Sequence, residues 1–354
     1  MGRNSNSFGS DSSRAGVYTL NNWSAYISAG DWWRAAGQEE FLEAGTFSWT
    51  CPPGVTSVSA VCVGGGGGGN ATWASSAGGG GGLGWKNNIS VTPGQSYTVV
   101  VGSGGTRGNN NSNKGGMSYF INSSTVGGGG GGNATANNYA DAMNSGRNGN
   151  WGGGYSGDGG GRGGNCTNYQ GGGGAGGYNS DGGGPQSNGN AAGGSAAGGG
   201  YYSSTYGVSA GGGTGIYGKR TDYTPERDGH GHVNEQGSGL YSQSGLRFNS
   251  SYGPSNVGGG RGGSFRTGII SGEETGWNGA SGENPWGGSS NSGFWSANAN
   301  NLWGGFPGGG GGGSGTSWGG GPGSRGAVRI MWSGESGQAG SNRSYPSTNT
   351  EDVV

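Results

Sequence analysis

Charge is scarce in this 354-residue chain: Lys, Arg, Asp and Glu make up only 10% of it, and the formal net charge is −1. No strong field draws such a chain to nucleic acid or to an anionic membrane surface. Cysteine is scarcer still, with Cys51, Cys62 and Cys166 alone, and an odd count this low excludes a disulfide framework. Reduced thiols are the default, although Cys51 and Cys62 fall on neighbouring predicted strands and could pair. Histidine occurs twice, which leaves little room for acid–base catalysis. No run approaches the ~20 apolar residues of a membrane-spanning helix. The opening MGRNSNSFGSDSSRAG has no apolar stretch of the secretory type, and Asn6 stands where a myristoylation motif needs Ser or Thr.

Recognisable nucleotide and catalytic motifs are also missing. Lys219 follows Gly218 but precedes Arg220, so G-x-x-x-x-G-K-[ST] is not formed. Matches to G-x-G-x-x-G are inevitable in this composition and carry no weight. RGG occurs at Arg162 and Arg261 only, without the basic surplus that RNA binding by counterion release requires. No nucleophile elbow surrounds any serine, and the Glu273–Glu274 pair reads as loop. The sequence therefore predicts no enzyme, no cofactor and no nucleic-acid partner.

What is present is glycine. The chain has 100 of them, against a usual share of about 7%. Ordering each glycine costs roughly 0.5–1 kcal/mol more than ordering alanine, on the order of 50–100 kcal/mol for the whole set. A folded form must therefore need glycine sterically, where no Cβ fits. Collagen needs a strict Gly-X-Y period, whereas the runs here are solid: Gly64–Gly69, Gly78–Gly82, Gly127–Gly132, Gly171–Gly174 and Gly308–Gly313. Extended polyglycine helices packed side by side fit this pattern. They have no internal hydrogen bonds, so their amides must bond to neighbouring helices. A slack linker is the competing reading. It leaves the aromatic content unexplained, which reaches 10% with 13 Trp and 16 Tyr.

Strand signals flank the glycine. Phe47, Trp49 and Cys51 alternate with Ser and Thr, Pro-Pro-Gly turns the chain, and Val58, Ala60 and Cys62 alternate again, as a β-hairpin would. Val61 and Val63 make the second face of that strand apolar, so both its faces should be covered. Residues 89–105 repeat the plan around Pro93-Gly94, and 115–124 and 325–332 supply further strands. First and last strands around a long insertion predict an antiparallel sandwich. The divisions expected are an aromatic docking segment at 1–45, sandwich strands with the first glycine rods at 46–124, a glycine bundle with variable loops at 125–324, a closing strand at 325–335 and an extended arm at 336–354.

The string F-x-W-x-C-P-x-G-V-T-S-V-x-x-x-C-V-G-G-G-G-G-G, then V-T-P-G-Q-S-Y-T-V-V-V-G-x-G-G and a closing G-A-V-R-I-x-W, resembles glycine-rich domain proteins of tailed phages, marine cyanophages especially. The G-V-Y-T-L-N opening (Gly16–Asn21) and the P-S-T-N-T tail (Pro346–Thr350) add to the likeness. In plan the chain is also similar to the glycine-rich domain of anaplastic lymphoma kinase-type receptors. That likeness implies an all-β, jelly-roll-like sandwich carrying a polyglycine II helix bundle. Adhesins at the long tail-fibre tips of some T-even-type phages likewise present variable loops from glycine rods. The resemblance implies a virion protein assembled in the host cytoplasm, a tail-fibre or receptor-binding component. Its partners would be other virion proteins and a host polysaccharide or outer-membrane protein. A capsid or tail decoration protein is the second reading, and a disordered structural polymer the third.

Three groups of residues carry that expectation. Tyr18, Leu20, Trp23, Tyr26, Trp32 and Trp33 would dock to the particle or pack on the next domain. Tyr201, Tyr202, Tyr206, Trp277, Trp286, Phe294, Trp295 and Trp303 lie among Gly, Ser and Asn, the chemistry of adaptable binding loops; the alternative role for these rings is to cap the bundle. His230 and His232, in DGHGHVNE, would complete a metal site only where three chains meet in a homotrimer, as H-x-H iron sites of phage fibres do. A polar loop is the simpler reading there.

Overall fold

The computed structural model describes residues 36–69, 77–106, 114–132, 152–166, 172–184, 211–216, 218, 307–310, 321–333 and 343–346, and three short strands between 186 and 208. All regular structure among these residues is strand, thirteen in number, with no helix. Two five-stranded antiparallel sheets dominate. The first, sheet A, has the order β1(Gly37–Phe41), β13(Ala327–Trp332), β3(Ser57–Val63), β4(Leu83–Ser90), β9(Gly159–Gly161). The second, sheet B, has the order β2(Gly45–Thr50), β5(Ser96–Val101), β6(Ser118–Phe120), β7(Val126–Gly128), β8(Tyr155–Ser156). The sheet begins at Gly37, so five residues of the aromatic segment 1–45 form a sheet edge.

The two sheets pack face to face over one core. Val58, Ala60, Cys62, Val328 and Ile330 of sheet A meet Trp49, Val99, Val101, Phe120 and Val126 of sheet B. Trp49 is the central ring, edge-on to Phe120 at 5.6 Å and 6.0 Å from Trp332. The alternate residues of β3, β4 and β13 form a second apolar layer on the outer face of sheet A. Val61, Val63, Leu83, Ala327 and Met331 lie there under Tyr178, Ile216 and Tyr345. The double-faced apolar pattern of β3 is thus satisfied on both sides. Sheet B differs: its strands carry no charged residue, and Thr46, Ser48, Thr50, Ser96 and Thr98 lie exposed on them.

The hairpins expected at 46–63 and 89–101 do not form. β2 pairs with β5 and β3 with β13 and β4, so the Pro52-Pro53-Gly54 turn carries the chain from one sheet to the other. The Pro93-Gly94 turn does the same between β4 and β5. The two turns lie side by side, with Gly94 N donating to Cys51 O and Cys51 N to Gln95 O, both at 2.9 Å. Cys51, just past the end of β2, and Cys62 of β3 are therefore not cross-strand neighbours, and all three cysteines are buried thiols outside any disulfide.

Among the described residues, the glycine runs that adjoin strands of these two sheets leave from the same end. β3, β5, β7 and β9 run out into Gly64–Gly69, Gly102–Thr106, Gly129–Gly132 and Arg162–Cys166, while Gly78–Gly82, Gly152–Gly154 and Gly321–Gly326 run in to β4, β8 and β13. Gly64 N donates to Gly82 O, Gly65 N to Gly116 O and Gly66 N to Ser324 O. Three residues on, Gly67 N returns to the first neighbour at Gly79 O, and Gly69 N to the third at Gly321 O. Donation thus repeats every three residues. On the other sides, a Cβ added to Gly64, Gly65 or Gly66 would come within 3.0 Å of the backbone of Gly129, Ser103 or Gly309. Gly64–Gly68 is enclosed by six neighbouring segments whose backbones approach too closely for any side chain. This is the steric need that the composition demands.

Candidate functional site: the far end of the glycine runs

The runs end in one layer, away from the sheets. There Gly69 N donates to Gly321 O (2.7 Å), Gly79 N to Gly132 O (2.8 Å) and Gly115 N to Gly131 O (2.9 Å). Gly211 N donates to Gly310 O at 2.9 Å. The few side chains in this layer hold it together: Cys166 Sγ donates to Ala77 O at 2.7 Å, and Gly152 N donates to Asn165 Oδ1 at 3.0 Å. Consequently the segments 70–76, 107–113, 133–151, 167–171, 185–210 and 311–320 all start and finish at this end. The runs are almost wholly glycine, and most of the larger side chains between them lie in the connections. Burial pushes the Cys166 thiol far above its ordinary range, so it is inert as a nucleophile.

Within 185–210, β10(Gln186–Ser187), β11(Tyr201–Ser203) and β12(Gly207–Val208) form a small sheet, parallel between β10 and β11 and antiparallel between β11 and β12. Two of the sequence-derived binding candidates, Tyr201 and Tyr202, are in its middle strand. Tyr206, Trp277, Trp286, Phe294, Trp295, Trp303, His230 and His232 lie outside the described residues, as do Tyr18, Leu20, Trp23, Tyr26, Trp32 and Trp33. Segment 219–306, which holds the tryptophans and both histidines, is bounded differently. Gly218 and Pro307 lie at the sheet end, where Thr214 N donates to Pro307 O at 3.1 Å and Gly81 N to Gly308 O at 2.6 Å.

That boundary rests on a polar cluster which the sequence reading missed. Arg329 of β13 is fully buried on the outer face of sheet A. It stands in register with Glu40 of β1, with Nε 3.8 Å from Glu40 Oε1. Its other nitrogens donate to Ile216 O at 3.3 Å and to Gln38 Oε1. Arg343 donates to the same Gln38 Oε1 and to Gly37 O, each at 2.5 Å. Tyr178 and Tyr345 stack with ring centroids 5.7 Å apart. Burial drives both phenols up, Tyr345 to about 12 against the pull of Arg329 and Arg343, and Tyr178 well above its usual value with the Tyr345 charge adding to the effect. The only signal for Arg329 in sequence is its odd place among Ala327, Val328, Ile330 and Met331. Among the described residues no group of three or more His, Cys, Asp or Glu is placed to hold a metal.

The far end thus carries the flanks of six connections of unequal length and composition. A search of curated proteins finds no match. A family model for a glycine-rich domain matches residues 42–284, more than half of the chain, spanning most of the strands and glycine runs just described. The chain belongs to that glycine-rich domain family.

Proposed function

We propose that this protein is a structural component of a tailed-phage particle, a tail-fibre or receptor-binding protein that presents its variable connections to the host surface. The observation that carries the proposal is the gathering of six connections at the far end of the glycine runs. The three-residue repeat of hydrogen-bond direction supports reading the runs as polyglycine II helices. The paired five-stranded sheets support a jelly-roll-like sandwich as their base. The resemblance of both chain ends to phage glycine-rich proteins supplies the virion context. On this reading Tyr201, Tyr202 and Tyr206 contact the receptor from the far end, and the aromatic rings of 219–306 contribute from the side. Tyr18, Leu20, Trp23, Tyr26, Trp32 and Trp33 attach the protein to its particle.

Two measurements on purified particles test the proposal. Mass spectrometry should find the protein at a few to a few tens of copies per particle, a rough range set by fibre symmetry. Purified protein should compete with phage for adsorption to host cells, and Tyr201→Ser with Tyr202→Ser should weaken that competition. Absence from the particle would refute the proposal. The decoration reading draws support from the exposed, uncharged Ser and Thr positions of β2 and β5, which suit repeated lateral packing; hundreds of copies per particle would favour it.

A further inference from the structure

We infer that residues Arg343–Pro346 form a clasp that fixes the two boundaries of segment 219–306. Arg343 and Tyr345 anchor the clasp, while Ser344 between them is exposed. Tyr345 N donates to Asn87 Oδ1 at 2.9 Å, and Asn87 Nδ2 donates to Tyr345 O at 2.6 Å. Arg343 N donates to Ser333 Oγ at 3.1 Å, while its guanidinium reaches Gly37 O and Gln38 Oε1. Both side chains are almost wholly buried, Arg343 at 4% and Tyr345 at 3% exposure. So bound, the clasp acts on the 211–218 strip. Tyr345 Oη donates to Ile216 O at 3.2 Å, beside the Arg329 donor to the same carbonyl. The Tyr345 ring stacks on Tyr178, whose hydroxyl donates to Gly215 O and accepts from Gly218 N, each at 3.0 Å. Thr214 N then reaches Pro307 O, which joins the start of the 219–306 segment to its finish.

The clasp lies outside the face-to-face core, and Tyr345 belongs to the outer apolar layer of sheet A, so losing it should loosen the strip and that layer while sparing the face-to-face core and the runs Gly64–Gly69 and Gly129–Gly132. Its functional consequence rests on the reading of 219–306 as a receptor-contacting segment; its structure does not. The test is hydrogen exchange on the full chain. In Tyr345→Ala, amides of 214–216 and 218 should exchange about tenfold or more faster, while 64–69 and 126–132 keep wild-type rates. Tyr178→Phe keeps the ring stack but removes the bridging hydroxyl, and should release Gly218 with little effect on 126–132. Unchanged exchange at 214–216 and 218 in both variants, or an equal rise across the glycine runs, would overturn the inference. Host adsorption by Tyr345→Ala separates the two claims. A loosened strip with undiminished adsorption supports the clasp and counts against receptor contacts in 219–306.

Discussion

Gly66 gives the sharpest test of the packed glycine runs. A Cβ there would lie within 3.0 Å of Gly309 O, Gly309 C and Gly310 N, all backbone atoms with no rotamer to escape into. Restoring ordinary contact requires moving residues 308–310 by about 1 Å or more, since carbon atoms settle near 3.5–4.0 Å. That movement strains the Gly66 N to Ser324 O bond (2.8 Å), the Gly105 N to Gly66 O bond (2.8 Å) and the Ser324 N to Gly309 O bond (3.0 Å). Each buried backbone group left unpaired costs about 1–3 kcal/mol, and overpacking itself adds about 1–3 kcal/mol. With all three bonds lost, Gly66→Ala should therefore cost about 4–12 kcal/mol, a large part of a typical stability of about 5–15 kcal/mol. Gly66→Val should do worse. Denaturant unfolding followed by tryptophan fluorescence reads the loss directly. Gly94 is the comparison site: a Cβ there meets nothing within 4 Å, and only its φ of +76° resists, at about 1–2 kcal/mol. If Gly66→Ala stays within about 0.5 kcal/mol of wild type, less than one lost hydrogen bond, the packing argument fails.

Three further outcomes follow from the buried groups. Arg329→Ala should destabilise by about 3–5 kcal/mol, because Glu40, Gln38 and Ile216 O lose a buried donor; thermal unfolding at neutral pH measures it. Native protein should resist thiol reagents at pH 8, since burial pushes the Cys62 and Cys166 thiols far up and Cys51 up as well. All three cysteines should react once the chain is denatured without reductant, and fewer than three would reveal a bridge. Raised phenol pKa values mean that the folded state holds protons which the unfolded state has lost. Their contribution is complete below pH 10 and is lost as pH rises through about 12 for Tyr345, with Tyr178 acting in the same direction. Stability should fall across that alkaline window, and Tyr345→Phe should flatten the fall.

Strand positions were legible because side chains alternate. Phe47–Trp49, Val58–Val63, Val99–Val101 and Val328–Ile330 all declare a buried face, and each is a strand core. Pairing partners were not legible, because alternation fixes which face is buried and leaves open which strand lies alongside. A Pro-Gly turn between two alternating runs looks the same whether it closes a hairpin or crosses between sheets. β1 escaped notice because GQEEF is mostly polar, its Glu40 answering Arg329 nearly three hundred residues away. β7 and β9 are glycine-rich and have almost no side chains to form a pattern. The need for glycine was legible from the runs, but their neighbours were not, since each amide finds its acceptor on a distant segment. For the candidate site, the sequence supplied the aromatic residues, and the fold adds that Tyr201 and Tyr202 fall in β11, in a connection whose flanks reach the far end.

The central claim is that the glycine runs are ordered and bonded to one another. Residue-resolved hydrogen exchange at Gly64–Gly69 tests it most directly. Amides donating to Gly82, Gly116, Ser324 and Gly79 should be protected to the degree of the adjoining β3 strand. Exchange of these amides at the rate of an unstructured peptide, with β3 still protected, would contradict the account.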